Sequence, residues 1–283
     1  MRNLFSAHLF RLVRAKIFYF GMAALFVMEL YLLYSNHGDI VSGTASVDNT
    51  FFFFTMMGVI AVSAFCGLFV GAEYSSGSLR NKLITGHTKT AVYLSCLLVS
   101  CLAAVVFFLC AVAAGLICCL AWQTWFVMEA GKLAGYLAAS LGVAIAMASL
   151  CTLLSLSISS RSTGVVAALL IVMALLFFGN SISTTLGQPE QIPQITTIFD
   201  EETGQYSYVY PDEDTPMVDN PGYLRGTTRA VYQVLYDFLP TSQTFQLSRA
   251  ETETPWLLVL WSLLFTALTT AAGLCLFRRK DIK

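Results

Sequence analysis

The sequence predicts an all-α polytopic membrane protein, and three observations support this fold class. Of the 283 residues, 57% are apolar and only 12% are charged, whereas soluble domains carry about 25% charged residues. The mean hydropathy is +0.70. Six separate segments also stay apolar over about 20 residues, which is the length that a helix needs to cross a bilayer core of roughly 30 Å.

The six predicted transmembrane helices divide the chain into three parts. We expect an N-terminal interfacial helix and spans one to five in residues 1–181, an extracytoplasmic insertion in residues 182–254, and the last span with a basic tail in residues 255–283. Pro255 suits the first position of the last helix, with Thr254 as its cap, because a helix start does not use the donor that proline lacks. The predicted spans are Ile17–Tyr34, Phe51–Ala72, Ala91–Ala121, Leu133–Ile158, Gly164–Ser181 and Pro255–Phe277.

The first 16 residues are typical of an amphipathic helix that lies in the membrane interface. Phe5, Leu9 and Leu12 recur at helical spacing and predict one apolar face. We expect Arg11 and Arg14 to reach anionic lipid headgroups beside that face.

Lysine and arginine are distributed unequally between the two predicted sides of the membrane. With a cytoplasmic N-terminus, twelve of the sixteen basic residues fall in cytoplasmic segments. Because short cytoplasmic loops are enriched in positive charge, we predict that both termini are cytoplasmic. The twelve are Arg2, Arg11, Arg14, Lys16, Arg80, Lys82, Lys89, Arg161, Arg278, Arg279, Lys280 and Lys283.

The insertion between spans five and six has a composition unlike that of the spans. All seven prolines lie between Pro189 and Pro255, and residues 182–254 hold eleven acidic and three basic residues. Two stretches rich in β-formers, Gln194–Phe199 and Gln205–Tyr210, flank the sequence DEETG and predict a small β-hairpin. The acidic groups either attract a cationic partner or keep the insertion soluble.

A helix is also predicted in the second half of the insertion. Tyr223–Phe238 has helical periodicity, with Val231, Leu235 and Phe238 on one face. We expect this helix to lie on the outer membrane surface or to dip into it.

Motif searches exclude several classes of enzyme. The phosphate-binding loop G-x-x-x-x-G-K-[ST] is absent, as are H-E-x-x-H and G-x-S-x-G. His8, His37 and His87 are predicted on both sides of the membrane, so they cannot converge on one metal ion. All eight cysteines lie within predicted spans and form no C-x-x-C, and buried cysteine usually behaves as a small hydrophobe. We therefore expect no catalytic residue, metal site, bound cofactor or nucleic-acid partner.

Glu29 is the only charged residue well inside a predicted span. It lies near the outer end of the first span. Its side chain is predicted either to reach the membrane interface or to line a substrate path.

Small residues form a stripe along each of two predicted spans. Such stripes let helices approach closely in lipid, and they serve either packing within the chain or an interface between subunits. The second span carries Ser63, Gly67 and Gly71, and the fourth carries Gly135, Ala139, Gly142, Ala146 and Ser149.

The sequence GAEYSSGSLRNKL, residues 71–83, connects the second and third spans on the predicted cytoplasmic side. Its Ser-Ser-Gly predicts a turn, and SLRNKL predicts a short helix lying against the membrane. Enrichment of positive charge on this side accounts for Arg80, Lys82 and Lys89. It does not account for Glu73 or for the compact turn and helix, whereas docking of a cytoplasmic partner accounts for both.

Two stretches of the sequence resemble a known family. GAEYSSGSLRNKLITGHTKTAVYLSC resembles the E-Y-x-x-G-[ST]-L-[RK] segment that follows the second span of bacterial ABC type-2 transporter permeases. The final LFRRKDIK resembles the short F-x-[RK]-[RK]-D tail of the same family. The layout of six spans with cytoplasmic termini is also similar, although the insertion exceeds the short helical hairpin expected there.

The resemblance implies a set of partners and a site. Residues 73–88 would form the coupling helix, on which a separately encoded ATPase docks, and the N-terminal helix would match the family's connecting helix. Two ATPase subunits would bind ATP and Mg²⁺, and a second permease, identical or related, would complete the complex among the lipids of a bacterial cytoplasmic membrane. The docking role is carried over onto Glu73, Tyr74, Gly77, Ser78, Leu79, Arg80 and Lys82.

The predicted function is therefore the permease subunit of an ATP-driven exporter, which is not itself an enzyme. The family exports antimicrobial peptides, drugs and lipid-like molecules, and an acidic insertion would suit resistance to a cationic antimicrobial peptide. The alternative is a membrane scaffold or sensor whose outer domain binds a ligand and whose cytoplasmic loop recruits a regulator. A secondary transporter fits less well, because the spans hold too few charged groups for a proton relay.

Overall fold

The computed structural model describes residues 2–194, 196–200, 205–209 and 215–280. Six of the described helices are long and apolar enough to cross a membrane, which confirms the predicted multi-pass helical architecture. The helices are α1 (Arg2–Arg14), α2 (Lys16–Ser35), α3 (His37–Ser42), α4 (Val47–Phe51), α5 (Phe54–Ser75), α6 (Ser78–Ile84), α7 (Lys89–Trp122), α8 (Ala130–Ser157), α9 (Arg161–Leu186), α10 (Gly226–Phe238), α11 (Pro240–Ser248) and α12 (Pro255–Arg279).

The six candidate spans lie close to their predicted positions, because apolar length determines them. They are α2, α4 with α5, α7, α8, α9 and α12. Thr88 caps α7 by accepting a hydrogen bond from the backbone N–H of Ala91 at 3.2 Å. Pro255 occupies the start of α12 as predicted, but the side chain of Thr254 makes no capping bond.

Both small-residue stripes pack within the chain. On α5, Gly67 lies against α9, where an added Cβ would be 3.1 Å from the Cα of Val165. On α8, a Cβ at Gly142 would be 3.1 Å from the Cβ of Ser262 in α12, and Ser149 Oγ lies 2.6 Å from Thr269 Oγ1. Close helix contact replaces the hydrophobic effect as the driving force in lipid, so these stripes account for the α5–α9 and α8–α12 pairs.

Two short antiparallel strand pairs follow α9. Strand β1 (Gln191–Pro193) pairs with β4 (Met217–Asp219), and β2 (Thr196–Asp200) pairs with β3 (Gln205–Val209). The second pair occupies the two stretches predicted as a hairpin. Of the predicted five-residue turn DEETG, Asp200 is the last residue of β2, and residues 201–204 lie outside the described residues.

Helix α10 begins three residues later than predicted and turns a different face inward. Val231, on the predicted apolar face, is 52% exposed, whereas Leu235 and Phe238 of the same face are half-buried. Tyr236 is buried, and its hydroxyl donates to Ser183 Oγ of α9 at 3.0 Å. This hydrogen bond turns the Tyr236 side of α10 toward α9. The periodicity of apolar residues alone does not predict such a polar contact.

The nine-residue helix α11 was not predicted and is buried among α5, α8 and α9. Several of its polar side chains are bonded internally, whereas the buried Ser242 Oγ has no hydrogen-bond partner among the described residues. Thr241 Oγ1 donates to the carbonyl of Leu175 at 3.0 Å, and Gln243 Oε1 accepts from Ser262 Oγ at 2.7 Å. Gly179 leaves room for Ser242, because a Cβ there would be 3.0 Å from Ser242 Oγ. Part of the predicted extracytoplasmic insertion therefore belongs to the helical bundle.

The bundle has two chemically different ends. The basic end contains α1, α6 and the C-terminus of α12, and the insertion end contains the strands, α10 and α11. Lys89 Nζ at the start of α7 donates to the carbonyls of Arg278 and Lys280, at 3.1 and 2.6 Å. Contacts of α1 and α12 with α7 place both ends of the described chain at the basic end.

The positive charge distribution predicts that the basic end faces the cytoplasm. In a cysteine-free background, Ser76→Cys at the basic end should resist a membrane-impermeant thiol reagent on intact cells. Gln191→Cys at the insertion end should react, since both positions are exposed in the structure. Labelling is measured by gel shift before and after permeabilisation. Reaction of Ser76→Cys from outside would invert the orientation.

Candidate functional site

The connector between α5 and α7 folds into a turn, a short helix and a second turn. Gly77 has a φ of 66° and precedes α6, and Gly86 has a φ of 90° and follows it. Other residues adopt this left-handed region only with strain. The two glycines therefore let a seven-residue helix fit between two long spans.

Glu73 lies at the end of α5, fully buried, between two cations. Arg11 Nη1 of α1 pairs with Glu73 Oε1, and Lys82 Nζ of α6 donates to Glu73 Oε2 at 2.5 Å. A buried carboxylate is unfavourable unless it is paired. Glu73 therefore requires α1 and α6 to stay beside α5.

Arg11 also contacts α5 in two further ways. Its Nη2 donates to the carbonyl of Phe69 at 2.5 Å, and the guanidinium lies 4.1 Å from the centre of the Phe69 ring. A planar guanidinium can pair, donate and stack at once, which lysine cannot do. Arg11 therefore holds α1 along the last turns of α5 and does not extend toward lipid, as the sequence had suggested.

His8 completes a buried ion cluster with Arg11, Glu73 and Lys82. Its Nδ1 lies 3.5 Å from Glu73 Oε1, and its Nε2 lies 3.1 Å from Lys82 Nζ. Because an ammonium group only donates, Nε2 is the acceptor and Nδ1 carries the proton toward Glu73. The neutral imidazole thus bridges a cation and an anion.

The surroundings keep the histidine neutral and the lysine charged. Burial, reinforced by the positive charges of Lys82 and Arg11, lowers the pKa of His8 from 6.5 to about 3. Burial lowers the pKa of Lys82 to about 8, so its ammonium keeps its proton at neutral pH. The ion cluster contains two cations and one anion at pH 7.

A second set of contacts joins the C-terminal tail to the same end. Lys280 Nζ donates to Tyr74 Oη at 2.8 Å and to the carbonyls of Leu156 and Ser157, at 3.2 and 2.8 Å. Tyr74 Oη in turn donates to the carbonyl of Leu156 at 2.5 Å. The ends of α5, α8 and α12 are therefore tied together beside the ion cluster.

The structure separates the seven residues predicted to dock a partner into two groups. Glu73, Tyr74, Leu79 and Lys82 turn inward, and Leu79 is almost completely buried. The outward group consists of Gly77 and Arg80, which are exposed, and Ser78, which is half-buried. The inward group positions α6, and the outward group lies on its accessible face.

A groove of about 400 Å³ opens between α1 and α6. It is mostly uncharged, with amide and hydroxyl groups from both helices. No group of three His, Cys, Asp or Glu suited to a metal ion occurs among the described residues. The arrangement thus offers a docking groove in which apolar area is combined with a few polar side chains. The lining residues are Asn3, Leu4, Ala7, Ser76, Ser78, Asn81, Lys82, Thr85 and His87.

The sequence pattern alone predicts neither the burial of His8 nor the inward orientation of Arg11. The buried face of α1 is formed by Leu4, His8 and Leu12, at intervals of four residues. The predicted face of Phe5, Leu9 and Leu12 is rotated from it, because His8 was counted as polar. Because His8 lies four residues from both Leu4 and Leu12, helical spacing places all three on one face, and this spacing could have predicted the burial of His8.

Lowering the pH should destabilise the folded protein, because His8 is held neutral in the ion cluster. The unfolded chain takes up a proton below pH 6.5, and the folded protein does so only near pH 3, so the free energy of unfolding falls as pH falls below 6.5. Between these values one proton raises the unfolding constant by roughly tenfold per pH unit. His8→Gln should show a flatter melting-temperature profile than wild type below pH 6.5. The control, His87→Gln, removes a half-exposed histidine, and coincident profiles for wild type and His8→Gln would contradict the prediction.

Comparison with known proteins assigns no identity to this site. No protein-family model matches the chain, and no curated protein matches it at a significant level. The geometry of the ion cluster and the motif resemblance therefore carry the functional argument.

Proposed function

We propose that the chain is the membrane-spanning permease subunit of an ATP-driven exporter. One observation carries the proposal: α6 exposes one face and the α1–α6 groove, while its other face is fixed to α1 and α5 by the ion cluster. A helix held in this way can pass a displacement of a docked protein to the spans. The E-Y-x-x-G-[ST]-L-[RK] resemblance suggests an ABC-type ATPase as that protein.

In this mechanism the chain supplies the membrane path, and the partner hydrolyses ATP with Mg²⁺. Two ATPase subunits dock at α6 of two permease subunits in a bacterial cytoplasmic membrane. Movement of α6 is transmitted to α5 through Lys82 and Glu73 and to α1 through Arg11. Charge-assisted bonds of this kind contribute about 1.5–3 kcal/mol each, which is enough to keep these helices together as a unit.

The insertion end favours a cationic cargo, such as an antimicrobial peptide. A cavity of about 310 Å³ lies between α10, α11 and the segment before α12. Its lining includes Asp237, Glu251 and Glu253, of which Glu253 pairs with Lys132 at 3.1 Å and Glu251 with Arg249 at 3.8 Å, so Asp237 is the acid there without a cationic partner among the described residues. An amine-bearing molecule would meet complementary charge on this side of the bundle.

Assembly tests the proposal directly. The purified chain should bind no ATP, and co-expression with the neighbouring reading frames should recover it with an ATPase in equal copy number, measured by native mass spectrometry. A kinase or transcriptional regulator recovered instead would favour the sensor alternative. ATP hydrolysis by the isolated chain would refute the assignment.

Coupling is tested at Glu73. Glu73→Gln keeps the shape of the side chain but leaves Arg11 and Lys82 without an anion, so α6 should loosen from α1 and α5. The permease-dependent stimulation of the ATPase should fall by roughly a hundredfold, which corresponds to the loss of about 1.4 kcal/mol from each of two charge-assisted bonds. The complex should still assemble, although the variant permease should melt at a lower temperature, because removing one partner of a buried ion pair is destabilising. The matched control is Arg279→Gln, which removes an exposed charge at the same end. Full stimulation by Glu73→Gln would leave Glu73 as a structural group only.

A further inference from the structure

Glu29 faces the protein although its helix is mostly exposed to the surroundings. Only 22% of the most apolar 18-residue stretch of α2 is buried inside the protein. Glu29 is 1% exposed and shares the buried face of α2 with Phe18, Leu25 and Leu33. Its carboxyl group therefore lies inside the bundle and does not reach the membrane interface.

The carboxyl group lies against α7 at Gly115. Oε1 is 3.4 Å from the position that a Cβ on Gly115 would take, and the ring of Phe51 fills the remaining space there. Neither carboxyl oxygen of Glu29 has a hydrogen-bond partner in the described part of the chain. No lysine, arginine or histidine there forms an ion pair with it.

The titratable neighbours offer no positive charge. Asp48 of α4 lies one turn before Phe51, and its Oδ2 accepts from the backbone N–H of Val127 at 3.1 Å. Cys118 and Cys119 follow Gly115 by about one turn on α7. The ring of His37 in α3 packs against Trp122, with ring centres 4.5 Å apart and the ring planes tilted by 57°. A charged Glu29 would therefore have no hydrogen-bond or ion-pair partner among the described residues.

The size of the site limits what can neutralise the carboxyl group. A void of about 20 Å³ lies beside the site and not at the carboxyl group itself: its lining includes Leu25 and Ala111, each about one turn from Glu29 or Gly115 on its helix, but neither Glu29 nor Gly115. It has room for a single water molecule and not for an organic cation. A metal ion would need several oxygen ligands, and the described residues contain no such group. A proton meets both limits.

We propose that Glu29 is a proton-binding site, protonated while α2 packs against α7 and ionised when the two helices separate. Burial of an unpaired carboxylate is strongly unfavourable, and neutralisation removes that penalty. Separation of α2 from α7 admits water, which accepts the proton and solvates the carboxylate. Any movement of α2 that opens this contact therefore releases one proton per chain. The inference does not rest on the proposed function.

Unfolding measurements in detergent test the proposal without any partner. Folded wild type keeps the proton on Glu29, whereas the unfolded chain loses it above its ordinary range near pH 4.3. The unfolding constant of wild type, divided by that of Glu29→Gln, should therefore rise by roughly tenfold per pH unit between about pH 5 and 8. Glu129→Gln, at an exposed carboxyl group, should give no such trend. A ratio that stays constant across this range would overturn the proposal.

A lipid-soluble carbodiimide provides the second measurement, since it modifies protonated carboxyl groups and not carboxylates. Mass spectrometry should find Glu29 modified, at a rate that declines as pH rises, with the ion-paired Glu73 unmodified in the same sample. Slower modification on adding Na⁺ at constant ionic strength would assign the site to an alkali ion and overturn the proton assignment. Equal modification of Glu29 and Glu73 would overturn it as well, because it would show no selective protonation.

Discussion

The carboxylate of Glu73 is the constraint on which the basic end of the molecule depends. It is fully buried, and its charge is balanced by one cation from α1 and one from α6. Replacing a buried ion pair by apolar groups is often neutral for stability, whereas removing a single partner costs about 3–5 kcal/mol. The ion cluster therefore contributes less to the overall stability than to fixing one arrangement of three helices. His8 strengthens this constraint because its two ring nitrogens match one anion and one cation.

Most of the fold could be predicted from the sequence because the bilayer imposes strong requirements. A span needs a long apolar segment, and the six predicted segments all fall on the long helices. The glycines and serines after α5 indicated the turn and the short helix, because Gly77 allows a left-handed backbone. The two stripes of small residues indicated close helix pairs, and the structure shows that both pairs form within the chain.

Only part of the candidate site could be predicted from the sequence. Glu73 was a candidate because the enrichment of positive charge in cytoplasmic loops does not explain an acidic residue there. Its partner Arg11 lies far away in the chain and belongs to a separate helix. No local pattern connects two such residues. Helix α11 escaped prediction for a different reason. Its sequence, PTSQTFQLS, is polar, and hydropathy treats polar segments as exposed. Internal hydrogen bonds such as Ser262 to Gln243 remove the penalty of burial, and these bonds exist only in the folded chain.

The long segment between α9 and α12 has two regions that differ in how well they tolerate insertions and deletions: the strands before α10, and helix α11. In the described part of the chain the strands pack mainly against one another and little against the helices, and the entropy of closing a loop grows slowly with its length. Insertions, deletions and epitope tags should accumulate among the strands during evolution or engineering. Within α11, one added residue would rotate Thr241 and Gln243 away from their partners on α9 and α12. Homologues of this protein should therefore vary in size before α10 and keep a constant spacing between α11 and α12.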